Sequence, residues 1–121
     1  MSSATQAYAR ASTTTASPRE IEAQALLKAA RQLIAVQTNW TGPDNAMHDA
    51  LIFNRRLWTI FISAAEANDN PQPLEVRQNI ANIGVFVIKQ TVDMQMNPDP
   101  VKLRSLIDIN CNLAAGLSGR G

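Results

Sequence analysis

The stretch Met47-His48-Asp49-Ala50-Leu51-Ile52-Phe53-Asn54-Arg55-Arg56-Leu57-Trp58-Thr59-Ile60-Phe61-Ile62-Ser63-Ala64-Ala65 decides the fold of this chain. At about 100° per residue it predicts one apolar stripe on a helix, which consists of Met47, Leu51, Asn54, Trp58, Phe61, Ile62 and Ala65. Phe53, Leu57 and Ile60 form a second stripe, displaced by roughly 100–160° from the first. A surface helix needs only one such stripe. This helix is therefore either central in a bundle or carries a second face for a partner.

Capping residues and prolines bound four predicted helices, at about residues 18–37, 44–67, 73–96 and 100–116. The predicted N-caps are Ser17, Asp44 and Asp99, whose side chains can accept a hydrogen bond from a free backbone N–H. Short connections between long helices favour antiparallel neighbours, so we expect an all-α fold, a small up-and-down bundle. Residues 1–17, rich in Ser, Thr and Ala, are predicted to be a flexible arm or short helix before a single helical domain at 18–121.

The third predicted helix contains a strand-like segment. Ile83-Gly84-Val85-Phe86-Val87-Ile88 is apolar nearly all round and rich in β-branched residues, which favours a strand. Helical periodicity continues over roughly twenty residues around it, longer than a typical strand, so we predict a helix. Its buried face is expected to comprise Val76, Ile80, Ile83, Val87, Thr91 and Met94. Gly116 is expected to end the last helix as its C-cap.

Composition limits the classes of function that the chain can have. The 121 residues suit one domain, and a net charge of +1 lacks the basic excess of a typical nucleic-acid-binding protein. One cysteine, Cys111, forms no internal disulfide and fits a reducing compartment. The N-terminus does not resemble a secretory signal, and no apolar run approaches the roughly 20 residues that span a bilayer. We therefore expect a soluble cytoplasmic protein.

Catalytic and metal-binding chemistry has few candidates. His48 is the only histidine, and no cysteine or second histidine lies at ligand spacing from it. A partly exposed helix residue is therefore favoured over a general base or a metal ligand. Cys111 has no activating base nearby, so a buried structural thiol is favoured over a nucleophile. We predict that the chain is not an enzyme and uses no cofactor or metal.

Two asparagines and a tryptophan have alternative interpretations. Asn54 and Asn110 each lie in the middle of an apolar stripe, where a buried amide costs stability unless it is hydrogen-bonded. Bonding to the backbone of a neighbouring helix or loop is favoured, and partner recognition stays open. Trp40, between the first two helices, is either a lid over the core or an exposed anchor for a partner.

Three stretches of the chain carry a resemblance to a known family. They are Ala7-Tyr8 with Ser17-Pro18-Arg19-Glu20, Asn54-Arg55-Arg56-Leu57-Trp58-Thr59-Ile60-Phe61 with Pro73-Leu74-Glu75-Val76-Arg77, and Leu106-Ile107-Asp108-Ile109-Asn110-Cys111-Asn112-Leu113-Ala114-Ala115-Gly116-Leu117. In order and spacing they resemble the FlaF family of flagellar biosynthesis regulators from alphaproteobacteria, over nearly the whole chain. The matching positions are Tyr8, Asn54, Trp58, Phe61, Leu74, Arg77, Asn110, Gly116 and Leu117.

The resemblance implies a small cytoplasmic regulator that binds flagellin as a chaperone-like factor. It also implies support of flagellin synthesis and export, together with an FlbT-type regulator of flagellin messenger translation. The resemblance implies no catalytic residue, so none is assigned to a position of this chain. The alternative is an RNA-binding post-transcriptional regulator of flagellin messenger, for which the basic side chains would be Arg55, Arg56, Lys89, Lys102 and Arg104. A solvated surface is favoured for these at the observed net charge.

The predicted partner-binding face is the second stripe of the second helix. The resemblance implies that flagellin termini are amphipathic helices, which expose apolar stripes before export. A bundle with a spare apolar face can cover such a stripe by packing against it. We expect this face to consist of Phe53, Leu57 and Ile60, extended by Trp40 and Tyr8. Complete burial of the first three in the folded monomer would contradict this assignment.

Overall fold

A computed structural model describes residues 17–119 as four α-helices, with no strand in that range. They are α1 (Pro18–Thr38), α2 (Asn45–Glu66), α3 (Leu74–Met96) and α4 (Leu103–Leu117), and a 3₁₀ turn at Pro100–Lys102 leads into α4. The predicted all-α fold is confirmed, and the Ile83–Ile88 segment lies within a continuous helix. The predicted arm lies outside the described residues except for Ser17.

The predicted N-caps begin the helical segments. Ser17 Oγ accepts from the backbone N–H three residues later at 3.2 Å, and Asp44 Oδ1 does the same at 2.9 Å. Asp99 Oδ1 accepts from the N–H two residues later at 3.0 Å, ahead of the 3₁₀ turn. Each carboxylate or hydroxyl satisfies a backbone donor that the helix leaves unpaired. Gly116 is not the C-cap, since α4 continues through it and Gly119 takes the left-handed conformation at φ 73°.

The helices pack unequally around the core. α1 lies against both α4 and α2, and α2 lies against α3, whereas α3 and α4 have little contact. α3 and α4 are therefore each held mainly by one neighbour, and α3 is the more exposed of the two, since only four of its 23 residues are buried. The largest fully buried side chains are Trp58, Leu26, Leu33, Leu51, Met94, Leu103, Leu106, Val87, Asn54, Asn110 and Thr91.

Gly84 determines how α3 lies on α2. A Cβ at this position would overlap the Ile62 side chain and would lie 3.5 Å from the Trp58 ring. The missing side chain lets the two helices approach closely. It also centres the buried face of α3 on Gly84, Val87, Thr91 and Met94. The predicted face was therefore partly wrong, because Val76 and Ile83 lie at the surface.

Asn54 and Asn110 join α2 to α4 through their side chains. Asn110 Nδ2 donates to Asn54 Oδ1 at 2.7 Å, and Trp58 Nε1 donates to Asn110 Oδ1 at 2.9 Å. All three residues are fully buried, which removes both asparagines from direct contact with a partner. The amides are bonded inside the protein as favoured, but to side chains instead of backbone. Asn54 Nδ2 has no partner, so the network specifies the alignment of the helices at some cost in stability.

Candidate partner-binding surfaces

The predicted face on α2 is only partly accessible. Phe53 is half-buried, and Lys28 Nζ lies 5.2 Å from the centroid of its ring, close enough for a cation–π contact. Leu57 is half-buried and packs against the core, whereas Ile60 is 64% exposed. The three are not completely buried, so the condition that would contradict the assignment is not met. A partner would nevertheless reach only Ile60 freely.

Trp40 and Phe53 line a common groove between the end of α1 and the start of α2. The groove has a volume of about 730 Å³, and its lining also includes Gln32, His48 and Arg56. Trp40 is half-buried and packs against the core, so it combines features of both predicted roles. Leu57 and Ile60 do not line this groove. Tyr8, the fifth predicted residue, lies outside the described residues.

The residues considered for chemistry lie apart from one another. His48 is exposed near the start of α2, and Cys111 is half-buried at the edge of the core, less buried than predicted. Among residues 17–119, no three His, Cys, Asp or Glu side chains come together as a metal site would require.

Acidic partners accompany two of the five basic side chains considered for RNA. Lys102 Nζ lies 2.9 Å from Asp93 Oδ2, and Arg104 Nε lies 3.3 Å from Asp108 Oδ1. The hydrogen bond from Lys102 lowers the pKa of the Asp93 carboxyl below its usual value. A phosphate backbone is attracted by unopposed positive charge. These ion pairs weaken the basic strip as a nucleic-acid interface.

The most extensive exposed apolar surface of residues 17–119 lies on α3. Seven of the ten exposed large apolar side chains in that range belong to this helix. Four of them lie within an arc of about 40° at 100° per residue, and we call them the outer stripe: Leu74, Val85, Val92 and Met96. Their exposed fractions are 63%, 48%, 44% and 73%. Val85, Val92 and Met96 therefore form a row along the second half of α3, and Leu74 lies on the same face at its start, with the exposed Gln78 between them.

Charge is sparse around the outer stripe. The Arg77 guanidinium donates to the Ala65 and Ala67 carbonyls at 2.8 and 2.9 Å, which caps the end of α2. Asp93 is paired with Lys102, as described above. Glu75 and Lys89 are the other charged residues of α3. Lys89 is exposed and lies one turn from both Val85 and Val92. A partner on this stripe would therefore meet apolar side chains bordered by one positive charge.

Sequence reasoning missed the outer stripe as a binding surface. Its signal was present in Ile83–Ile88, where apolar residues surround the helix, and we used that pattern only to decide between helix and strand. A helix that is apolar on all sides buries only the face that packs against its neighbours. Its apolar side chains on the other faces therefore stay exposed. None of the four helices in residues 17–119 is both long enough and apolar enough to cross a bilayer.

The family model described as flagellar protein FlaF matches residues 4–117 of the chain. The match covers nearly all of the chain and includes all four helices. Neither the curated proteins nor the solved structures compared with the chain include a match.

Proposed function

Since the chain belongs to the FlaF family of flagellar proteins, we propose that it is a cytoplasmic regulator of flagellum biosynthesis that binds flagellin as a chaperone-like factor. It supports flagellin synthesis and export together with an FlbT-type translational regulator. This role requires binding alone, with neither catalysis nor a cofactor. The observation that carries the proposal is the outer stripe of α3, a row of exposed apolar side chains with little charge around it.

The mode of binding is a helix of flagellin laid along α3. Side chains at positions 85, 92 and 96 recur at intervals of seven and four residues, the spacing with which one helix presents a row to another. An amphipathic flagellin helix would cover this row with its own apolar face. The contact shields on both partners the apolar surface that promotes aggregation.

The strength of this contact suits a temporary partner. Fully burying one large aliphatic side chain contributes about 1.5–3 kcal/mol, and the stripe offers four that are already roughly half buried. Covering them yields roughly 3–6 kcal/mol before the loss of motional freedom is subtracted. A chaperone that delivers flagellin for export must also release it, and a modest apolar contact allows release.

Ionic strength separates this function from the RNA-binding alternative. Flagellin bound through the outer stripe should dissociate little when salt rises from 50 to 500 mM, because few charges lie near the stripe. RNA held by Arg55, Arg56 and Lys89 should lose affinity steeply over the same range. Titration of each ligand at several salt concentrations measures how steeply the affinity for flagellin and the affinity for RNA depend on salt.

The decisive experiment measures flagellin binding by calorimetry with lysines placed in the stripe. The double variant Val85→Lys/Val92→Lys should weaken binding at least about tenfold, because charged side chains would have to be desolvated. Val101→Lys is the matched control, since Val101 is 75% exposed and lies ahead of α4. Circular dichroism and Tm show whether each variant is folded. Wild-type affinity in a folded double variant would contradict binding through the outer stripe.

A further variant tests the face predicted on α2. If Ile60→Lys abolishes flagellin binding while the α3 double variant does not, the site lies on α2 and the flagellin partnership stands. Co-expression with flagellin and the FlbT homologue, followed by nuclease treatment and co-purification, tests the function itself. Recovery of neither protein would contradict the proposed function.

A further inference from the structure

A small groove opens at the end of the bundle where α1 begins and α4 ends. Its apolar walls are half-buried side chains from three helices, namely Phe61, Ile80, Leu113 and Leu117. Glu22 of α1 and the connection between α2 and α3 complete its lining. We call this feature the end groove. It is separate from the outer stripe, none of whose members line it.

The size of the end groove suits a side chain. Its volume is about 250 Å³, below the roughly 300–1,000 Å³ of typical small-molecule pockets. A helix would not fit into it, but one aromatic ring would. Phe61 already meets the buried Trp58 edge-on, with ring centroids 5.5 Å apart, so an inserted ring would extend an existing aromatic cluster.

Three acidic residues lie in the lining or next to it in sequence. Glu22 lines the groove, and Glu66 and Asp69 are adjacent in sequence to lining residues. All three acids are exposed, and none forms an ion pair within residues 17–119. The Arg77 guanidinium also lies here, donating to the Ala65 and Ala67 carbonyls. The excess of acids over this one basic group favours an occupant with an apolar ring and a positive charge close to it.

The chain's own N-terminal segment has this chemistry. Residues 1–16 contain one aromatic side chain, Tyr8, and one charged side chain, Arg10. The segment joins α1 at Ser17, and Glu22 lies only about 6 Å along the helix from Pro18. The nine residues from Tyr8 to Ser17 can span up to about 30 Å, several times that separation.

We propose that Tyr8 of the same chain inserts its ring into the end groove, with Arg10 facing the acidic rim. The covalent tether makes this contact intramolecular, so even a weak site is filled without a partner. The inserted ring covers half-buried apolar atoms of α2, α3 and α4 at once. Tyr8 is then unavailable to the α2 face on which we first expected it. This inference does not depend on the proposed function.

The experiment uses the chain's only tyrosine as a probe. Full-length protein grown with 3-fluorotyrosine gives a single fluorine NMR resonance. We expect this resonance to lie away from its position in urea-unfolded protein and to be shielded from a dissolved paramagnetic agent. Both properties should persist on tenfold dilution. Salt should move the signal partly towards the unfolded position, because Arg10 and the rim acids attract each other through solvent.

Two variants fill or reshape the groove. Leu117→Ala removes one wall, and Ala64→Lys places a positive charge at an exposed position on the rim, where it repels Arg10 without disturbing the core. Either should move the resonance to the unfolded position while helical circular dichroism is retained. Ala64→Lys keeps the test decisive if Leu117→Ala does not fold. Val101→Ala, at the other end of α4, is the control and should change nothing.

Three outcomes would overturn the proposal. A resonance at the unfolded position in the native protein shows that the ring is outside the groove. Shielding that both folded groove variants retain shows that the ring is held elsewhere. Shielding that disappears on dilution shows that the groove takes Tyr8 from a second copy.

Discussion

α3 and α4 are both rich in apolar residues, yet they use them in opposite ways. α4 buries Leu103, Leu106 and Ile107 almost completely. α3 leaves Leu74, Val85 and Met96 about half exposed or more. The two helices differ in pattern and in their neighbours. α4 has one apolar stripe and lies along α1, whereas α3 has apolar residues on several sides and lies mainly against α2.

This difference separates side chains that stabilise the protein from side chains that are available to a partner. A single stripe is satisfied once one neighbour covers it. An all-round apolar helix at the periphery retains uncovered surface after folding, and such surface marks sites of interaction in soluble proteins. The comparison therefore predicts that α4 contributes mainly to stability and α3 mainly to recognition, and each prediction can be tested.

The largest expected effect comes from shortening a leucine on each helix. Leu106→Ala should lower the free energy of unfolding by about 2–5 kcal/mol, because it opens a cavity among fully buried neighbours. Leu74→Ala, at a position that is largely exposed, should change it by less than about 0.5 kcal/mol. Urea denaturation followed by circular dichroism measures both. Equal losses would contradict the division between the two helices.

The next effect concerns how α4 is tied to α2. Asn110→Leu removes the acceptor of the Trp58 N–H and the donor to Asn54, and should destabilise by about 1–3 kcal/mol because buried polar atoms are left unpaired. Asn112→Leu, at an exposed position on the same helix, is the matched control and should be nearly neutral. A stability of Asn110→Leu equal to wild type would show that the network does not hold the two helices together.

A glycine comparison tests the close approach of α3 to α2. Gly84→Leu should destabilise by about 1–3 kcal/mol, because the new side chain overlaps Ile62 and forces the helices apart. At Gly116→Leu, where no heavy atom outside the local helix would lie within 4 Å of a Cβ, a better helix former should stabilise by up to about 1 kcal/mol. Thermal unfolding gives the sign of each change. Stabilisation by both would mean that α3 does not depend on contact at Gly84.

The smallest effect is the pH dependence of the Asp93–Lys102 pair, which joins the end of α3 to the 3₁₀ turn. Because folding lowers the pKa of Asp93, the pair contributes stability above the ordinary value of 3.8 and loses it as the pH falls through the lower folded value. Asp93→Asn should therefore lower Tm slightly at pH 6 and leave it equal to wild type near pH 2. The difference should shrink in 1 M NaCl, because the pair is partly exposed to solvent. A difference that grows on acidification would reverse the assignment.

Local signals in the sequence predicted most of the fold. The N-caps at Ser17, Asp44 and Asp99 act within three residues of themselves, so chain-local chemistry is sufficient to place them. The buried stripe of α4 followed from its periodicity in the same way. The face of α3 did not, because an all-round apolar helix has no preferred side until a neighbour is in place.

The candidate surface was less predictable than the fold. The doubled stripe of α2 is visible in the sequence, but the sequence does not show that Lys28 covers Phe53 or that Leu57 packs inward. These contacts join residues that are distant along the chain. The roles of the α2 face and of the outer stripe remain predictions that the lysine variants distinguish.

By itself the sequence determined the helices, their caps and the class of protein, because periodicity, capping and family motifs are carried by residues close together or in fixed order along the chain. Only the tertiary structure decided which apolar residues are covered. That choice depended on Gly84, which brings α3 against α2 along one face, and on the weak contact between α3 and α4, which leaves much of the rest of α3 uncovered. The exposed stripe is therefore a property of packing geometry. The hydrophobicity of individual residues does not determine which of them stay exposed.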